Sequence, residues 1–264
     1  MCSDRIKGLL AICCLMLLPA CSIKEDRSDC PCYLTVDPTG IPQAVGGEIV
    51  TLEVAGAGAF RSSQLLNVED CRTEFVLDVP RPNVFLSVFA GAGECFVPGE
   101  GLLIPEGEQC PPVMMYSQRV RTDGETSCVR PVPCKRYCTV TVRIVPINDV
   151  FVENYHLELT GTVCGYRLDS TPIYGDFRCP AYPSDDGLCE VRIPCQIDNS
   201  LMMNVLDGTN SLRYFALGEY IAESGYDWAA DNLEDVFLEI DYAATTFTIR
   251  VNGWETTIER EVLI

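Results

Sequence analysis

The thiol of Cys21 is the group in this chain best placed for covalent chemistry. It follows Leu18, Pro19 and Ala20 at the end of an apolar run, Gly8 to Leu18, with Arg5 and Lys7 before it. A basic start, an apolar core and a small residue before the cut mark an export signal, and the run is too short to cross a bilayer as a helix. Ala20 supplies the small side chain a signal peptidase needs, and Cys21 supplies a sulfur that would carry a diacylglycerol. Each buried acyl methylene contributes about 0.8 kcal/mol, so two or more chains on one cysteine anchor stably where a single chain does not. Residues 1–20 are therefore expected to leave as a lipoprotein signal peptide, with Cys21 the lipidated first residue. The competing reading is an ordinary secreted protein cut before a structural cysteine.

Of the 16 cysteines, Cys2, Cys13 and Cys14 leave with the signal and Cys21 is acylated, which leaves an even set of twelve. In an exported protein an even set favours disulfides, although the pairing does not follow from sequence. Two pairs have local logic: Cys95 with Cys110, and Cys179 with Cys189, would each close a Pro- and Gly-containing excursion between strand-like segments. A loop of 15 residues closed this way is worth about 3 kcal/mol in the chain-entropy model. Cys30 and Cys32 are poor partners, because residues two apart on a strand project from the same face. Cys128, Cys134 and Cys138 raise the question of a metal, but their spacing does not reproduce the paired C-x2-C knuckles of structural zinc.

Catalytic signatures are missing. There is no H-E-x-x-H, G-x-S-x-G, Walker loop or G-x-G-x-x-G, which removes the common zinc-protease, serine-hydrolase and nucleotide readings. The single histidine, His156, alternates with Tyr155, Leu157 and Leu159, so its ring is expected on the outer face of a strand. Asp227, Asp231, Glu234 and Asp235 form the densest acidic group, without the order of an EF-hand loop, and are expected to solvate a surface. No catalytic residue, metal or cofactor is assigned, and the chain does not read as an enzyme.

The elements that carry these residues repeat with a period of two. Cys30, Cys32, Leu34 and Val36 share one parity; Val50, Leu52 and Val54, then Phe75, Leu77 and Val79, then Val84, Leu86, Val88 and Ala90 repeat it. Such alternation predicts half-buried strands. Cys138, Val140, Val142 and Ile144 open a second series, and Asp123-Gly124, Asp186-Gly187, Asp207-Gly208 and Asn252-Gly253 mark tight turns. One helix is expected over Leu212 to Glu223, stopped by Gly225. Many short strands with this punctuation predict an all-β protein of β-sandwich domains. The turn-rich stretch from Asp123 to Arg136 is the natural boundary, giving an acylated tether at 21–29 and sandwiches near 30–135 and 136–264. The formal charge of −19 becomes −20 when Asp4, Arg5 and Lys7 leave. Nucleic acid is an unfavourable partner for such a chain, as is a docking mode that needs a polybasic patch.

Several segments carry a resemblance. Cys21-Ser-Ile-Lys-Glu-Asp-Arg-Ser-Asp-Cys-Pro-Cys-Tyr-Leu-Thr-Val36 is similar to the mature start of the fimbrillin-associated anchor lipoproteins of Bacteroidales fimbriae, and Lys24-Glu25-Asp26 resembles an acidic surface-export signal. Gln196-Ile-Asp-Asn-Ser-Leu201, Phe215 to Trp228, Glu239-Ile-Asp-Tyr242 and Val251-Asn-Gly-Trp254 resemble that family in the same order. The cysteine content departs from it, and Cys195 stands where a basic residue is expected. The resemblance implies two tandem transthyretin-like sandwiches in an outer-membrane surface lipoprotein that holds the base of a fimbria and limits its length, with a fimbrial pilin as partner.

In the fimbriae of that family, subunits lose an N-terminal strand to proteolysis and receive one donated by the next subunit. A lipid on Cys21 reverses the logic, since cutting off the first strand would release the protein. The anchor should then keep that strand and act as donor. The candidate donor is Thr256 to Ile264, where Ile258, Val262 and Ile264 share one parity; the plainer reading is an ordinary last strand. The alternative function is a surface glycan-binding lipoprotein, with Tyr226, Trp228 or Trp254 stacking on sugar rings.

Overall fold

A computed structural model describes residues 30–41, 49–67, 71–145, 155–241, 246–251 and 254–259. The first half contributes β1 (Cys32–Val36), β2 (Ile49–Gly56), β3 (Arg61–Asn67), β4 (Phe75–Val79), β5 (Asn83–Ala90), β6 (Phe96–Val97), β7 (Gly101–Leu103), β8 (Met114–Arg121), β9 (Thr126–Val129) and β10 (Cys134–Lys135). One sheet runs β4-β1-β9 and the facing sheet runs β10-β8-β5-β2-β3. The period of two does what alternation requires: Cys32, Leu34 and Val36 from one sheet meet Val50, Leu52, Val54, Leu86 and Val88 from the other in a closed apolar core. Full burial of each such aliphatic side chain contributes about 1.5–3 kcal/mol.

The second half adds β11 (Tyr137–Val145), β12 (Tyr155–Arg167), β13 (Pro172–Ala181), β14 (Leu188–Pro194), β15 (Met202–Asp207), β16 (Asn210–Phe215), α1 (Leu217–Glu223), β17 (Val236–Asp241), β18 (Thr246–Val251) and β19 (Trp254–Glu259). Its sheets run β14-β11-β17-β18-β19 and β16-β15-β12-β7-β6, with β13 along the other side of β12. Val140, Val142, Leu157, Leu159, Met203, Leu238 and Ile240 fill the space between them. The protein is all-β, two sandwiches with one short α-helix among the described residues.

The helix is shorter than expected. Residues from Asn210 to Phe215, including Leu212, form β16 and pair antiparallel with β15 across the Asp207-Gly208 turn. A helix beginning at Leu212 would leave the outer backbone edge of β15 without partners, a cost that outweighs a local helical pattern. From Leu217 the helix does place Leu217, Tyr220 and Ile221 on one buried side, and Gly225 follows it with a positive φ of 83°.

Residues between β5 and β8 leave the first sandwich and complete the second. β7 pairs antiparallel with β12, Leu102 opposite Tyr166 and Leu103 opposite Gly165. The backbones approach so closely that a Cβ on Gly165 would lie 2.1 Å from the Leu102 carbonyl oxygen, and one on Gly101 2.2 Å from that of Tyr166. Farther on, Ile104 N donates to Cys164 O at 2.8 Å and Cys110 N to Arg192 O at 3.0 Å, so the segment passes from one sheet of the second sandwich to the other. Phe89 on β5 reaches the same core, its ring 5.0 Å from that of Phe96.

Arg136 alone separates β10 from β11, so the chain crosses between sandwiches in one residue. The crossing is pinned by Tyr166, whose buried hydroxyl donates to Arg136 O at 2.5 Å and accepts from Cys195 N at 2.6 Å. Asp235 adds a second fastening, accepting from Lys135 Nζ at 2.6 Å and from Thr139 N at 2.7 Å. Burial opposes ionisation of Asp235, but these bonds together hold its carboxyl below the usual range. Replacing Tyr166 by Phe strands two backbone groups at the crossing and is expected to lower the unfolding free energy by about 1–3 kcal/mol in denaturant titration; an unchanged midpoint would mean that the hydroxyl does not hold the crossing.

Candidate functional site

β1 is the first strand after the segment expected to serve as an acylated tether. Cys21 and the tether 22–29 lie outside the described residues, and Cys30, exposed, is the first residue described before β1. β1 is the middle strand of its sheet, antiparallel to β4 and parallel to β9. Cys32, Leu34 and Val36 are completely buried. The opposite end is β19, the last strand of its sheet, antiparallel to β18 with Ile258 opposite Phe247. Val262 and Ile264 lie outside the described residues.

Cys95, Cys110, Cys179 and Cys189 come together around one core, that of the second sandwich, as free thiols. Cys179 faces it from β13, opposite Leu159, and Cys189 from β14, opposite Val142. Cys110 is fully buried, and Cys95 is near enough for its thiolate to disfavour ionisation of Cys110. Burial pushes Cys179 and Cys189 up to about 11 and Cys138 up to about 12, and raises Cys110 as well. At neutral pH such sulfurs are protonated apolar groups rather than nucleophiles. Cys128, Cys134 and Cys138 do not converge: Cys128 is exposed on β9, Cys134 half-buried on β10 and Cys138 buried on β11. No group of three or more His, Cys, Asp or Glu able to hold a metal occurs among the described residues.

His156 lies against Tyr182 with ring centroids 5.2 Å apart and planes inclined by 22°. Asp227, Asp231, Glu234 and Asp235 are all exposed, as expected of a solvated surface; Asp227 also accepts from Ala229 N at 2.9 Å, and Asp235 fastens the crossing. The aromatics considered for stacking are not laid out as a platform. Tyr226 is buried and meets Trp228 edge-on at 4.6 Å, while the Trp254 side chain lies outside the described set. An external sugar platform needs open ring faces, and neither described ring forms an exposed one.

What the sequence did not foretell is a cavity of about 350 Å³ where the crossing, the end of β12, the segment after β14 and the turn after α1 meet. Its wall includes Arg136, Tyr166, Gln196, Asp198 and Trp228. Gln196 is fully buried and its Nε2 donates to Pro194 O at 2.8 Å. Ser200, through its hydroxyl and its backbone N–H, and Thr162 hold the Asp198 carboxyl below the usual range. The sequence singled out Gln196 and Trp228 as parts of separate similar segments; only folding shows that those segments meet.

No protein-family model matches the chain, and a comparison with curated proteins finds no match. Solved structures do match. The fimbrial anchor protein Mfa2 of Porphyromonas gingivalis aligns with a TM-score of 0.58 at 12% identity, covering 86% of this chain and 99% of its own. A Bacteroides thetaiotaomicron protein described as an adhesin gives 0.59 at 13% identity over 87% and 99%. Another from that organism, described as polysaccharide-binding, gives 0.62 at 12% identity over 86% and 98%. Identities this low speak for the fold alone, and over 86% of its length this chain shares its fold with a fimbrial anchor protein.

Proposed function

We propose that the protein is an outer-membrane surface lipoprotein, acylated at Cys21, that anchors a fimbria, limits its length and joins the adjacent pilin by β-strand addition. Its role is structural rather than catalytic. The observation that carries this reading is the place of β1. A strand with three completely buried side chains, bonded on both sides, stands a short tether away from the residue proposed to carry lipid. Removing such a strand would open the first core, whereas keeping it leaves fold and anchor in one piece. The likeness of fold to a fimbrial anchor protein supports the same reading. At the other end, residues 256–259 are taken up in β19 by pairing with β18, so a strand given to a pilin would come from residues 260–264.

Cys21→Ala should abolish uptake of a lipid precursor and move the protein, with its fimbriae, out of the membrane fraction; label retained in that variant would defeat the lipoprotein assignment. Deleting residues 260–264 removes Val262 and Ile264 and spares β19, so it should detach fimbriae from a folded, lipidated protein. Attachment that persists after this deletion would rule out donation by the C-terminal segment.

Export also places the thiols where disulfides form. Cys95 and Cys110 flank the segment that completes the second sandwich, and a bond between them would lock it there; Cys179 and Cys189 face the same core from its two sheets. Peptide mapping without reductant should recover the Cys95–Cys110 and Cys179–Cys189 peptides linked, and recovering them unlinked from exported protein would exclude both bonds.

A further inference from the structure

The sheet β4-β1-β9 gives one face to the first core and turns the other to solvent. On the outer face the strand registers set two rows: Asp78, Tyr33 and Thr126, then Val76, Thr35 and Cys128. Val76 is 57% exposed and Tyr33 49%, large values for side chains of their kind in the middle of a sheet face. Thr126 and Cys128 are exposed as well. The second sandwich lies on the other side: Phe89, on the outer face of the facing sheet, belongs to the second core and not to the first. The rows on β4, β1 and β9 therefore look away from the second sandwich.

Reach and chemistry together say what covers this face. Nine peptide links join Cys21 to Cys30, a span of about 30 Å at most. Both rows lie within about 17 Å of Cys30 along β1. A lipid on Cys21 thus keeps a bilayer surface in range of the face. A short tether of this kind presents the two to each other at an effective concentration of about millimolar, so a patch too weak to hold a free protein suffices. The side chains suit the headgroup zone. Tyrosine places its ring at the acyl boundary and its hydroxyl in water, Val76 and Cys128 are apolar, and Thr35 and Thr126 carry hydroxyls for interfacial water. Asp78 is the single charge in the two rows, and beyond them Asp37 is paired with Arg130 at 3.6 Å. The face offers no free cation to an anionic headgroup, in a chain of formal charge −19. We infer that this outer face rests on the headgroup zone of an electrically neutral bilayer, with the second sandwich turned away from the membrane. The inference rests on the lipid proposed for Cys21.

Cys128 serves as the probe, being an exposed free thiol on the face itself. The lipidated protein, placed in phosphatidylcholine vesicles, is treated with a polymer-linked maleimide that stays in water, and peptide mass spectrometry reads the modification of each thiol. A face docked about nine-tenths of the time should slow modification of Cys128 about tenfold relative to the Cys21→Ala chain free in solution. A thiol introduced by Tyr214→Cys, at an exposed position of the second sandwich, should react equally in both. Tyr33→Glu combined with Val76→Glu should restore the rate at Cys128 while the protein stays with the vesicles; Val76→Glu alone decides if the double variant does not fold. Equal rates at Cys128 with and without the lipid, or protection that survives these substitutions, overturns the inference. So does protection that appears only when the protein is crowded on the vesicle, which assigns the face to a second copy. Absence of the protein from the vesicles defeats the lipid and the docking together, whereas retention with Cys128 unprotected defeats the docking alone.

Discussion

A hydroxyl group enclosed between two sandwiches has one proton to give and lone pairs to fill, and Tyr166 spends both on backbone. It donates to the carbonyl of Arg136, where the chain passes between sandwiches, and accepts from the N–H of Cys195, just after β14. The same residue stands opposite Leu102, where β7 joins the second sheet. Three segments remote in sequence thereby meet at one residue: the crossing and the segment that leads to Gln196 through its hydroxyl, the borrowed strand through its backbone. Burial raises the Tyr166 hydroxyl well above its ordinary range, so it stays a donor at any physiological pH. Tyr166 also lines the cavity where the crossing and the segment after β14 come together.

Much of the architecture was legible because alternation is a local property. Every period-two series in the first half became a strand with the expected face inward, from Leu34 and Val36 to Val84, Leu86 and Val88. The segment from Phe96 to Leu103 was not legible. Its strands, β6 and β7, are too short to show a period, and their pairing partner is β12 in the other half of the chain. The overextended helix has a related cause: residues from Leu212 run without a break into the helical face of Leu217, Tyr220 and Ile221, but a free edge of β15 was available to claim the first of them. Chemistry divides in the same way. The expectation for Cys21 rests on its immediate neighbours, whereas the cavity near Gln196 is assembled from four separate segments and exists only in three dimensions.

The cysteines show how one residue type can serve two physical roles. Inside the second sandwich Cys110, Cys138, Cys179, Cys189 and Cys195 pack as small apolar side chains. Burial suppresses their ionisation, which keeps them quiet toward electrophiles and slows thiol exchange once the core has closed. Any bond among them therefore forms before or during closure, which ties the redox state of the compartment to folding rather than to later regulation.

In the proposed anchor, drag on a filament would reach the membrane through the strand next to the tether, β1. It has a row of hydrogen bonds on each flank, to β4 running against it and to β9 running with it. Those bonds lie across the strand, steeply for the antiparallel neighbour and slanted for the parallel one. Tension along β1 consequently loads both rows in shear at once, with Leu34 and Val36 plugged into the core beneath them. Bonds loaded in shear give way together rather than one by one, so a strand held this way would yield as a block.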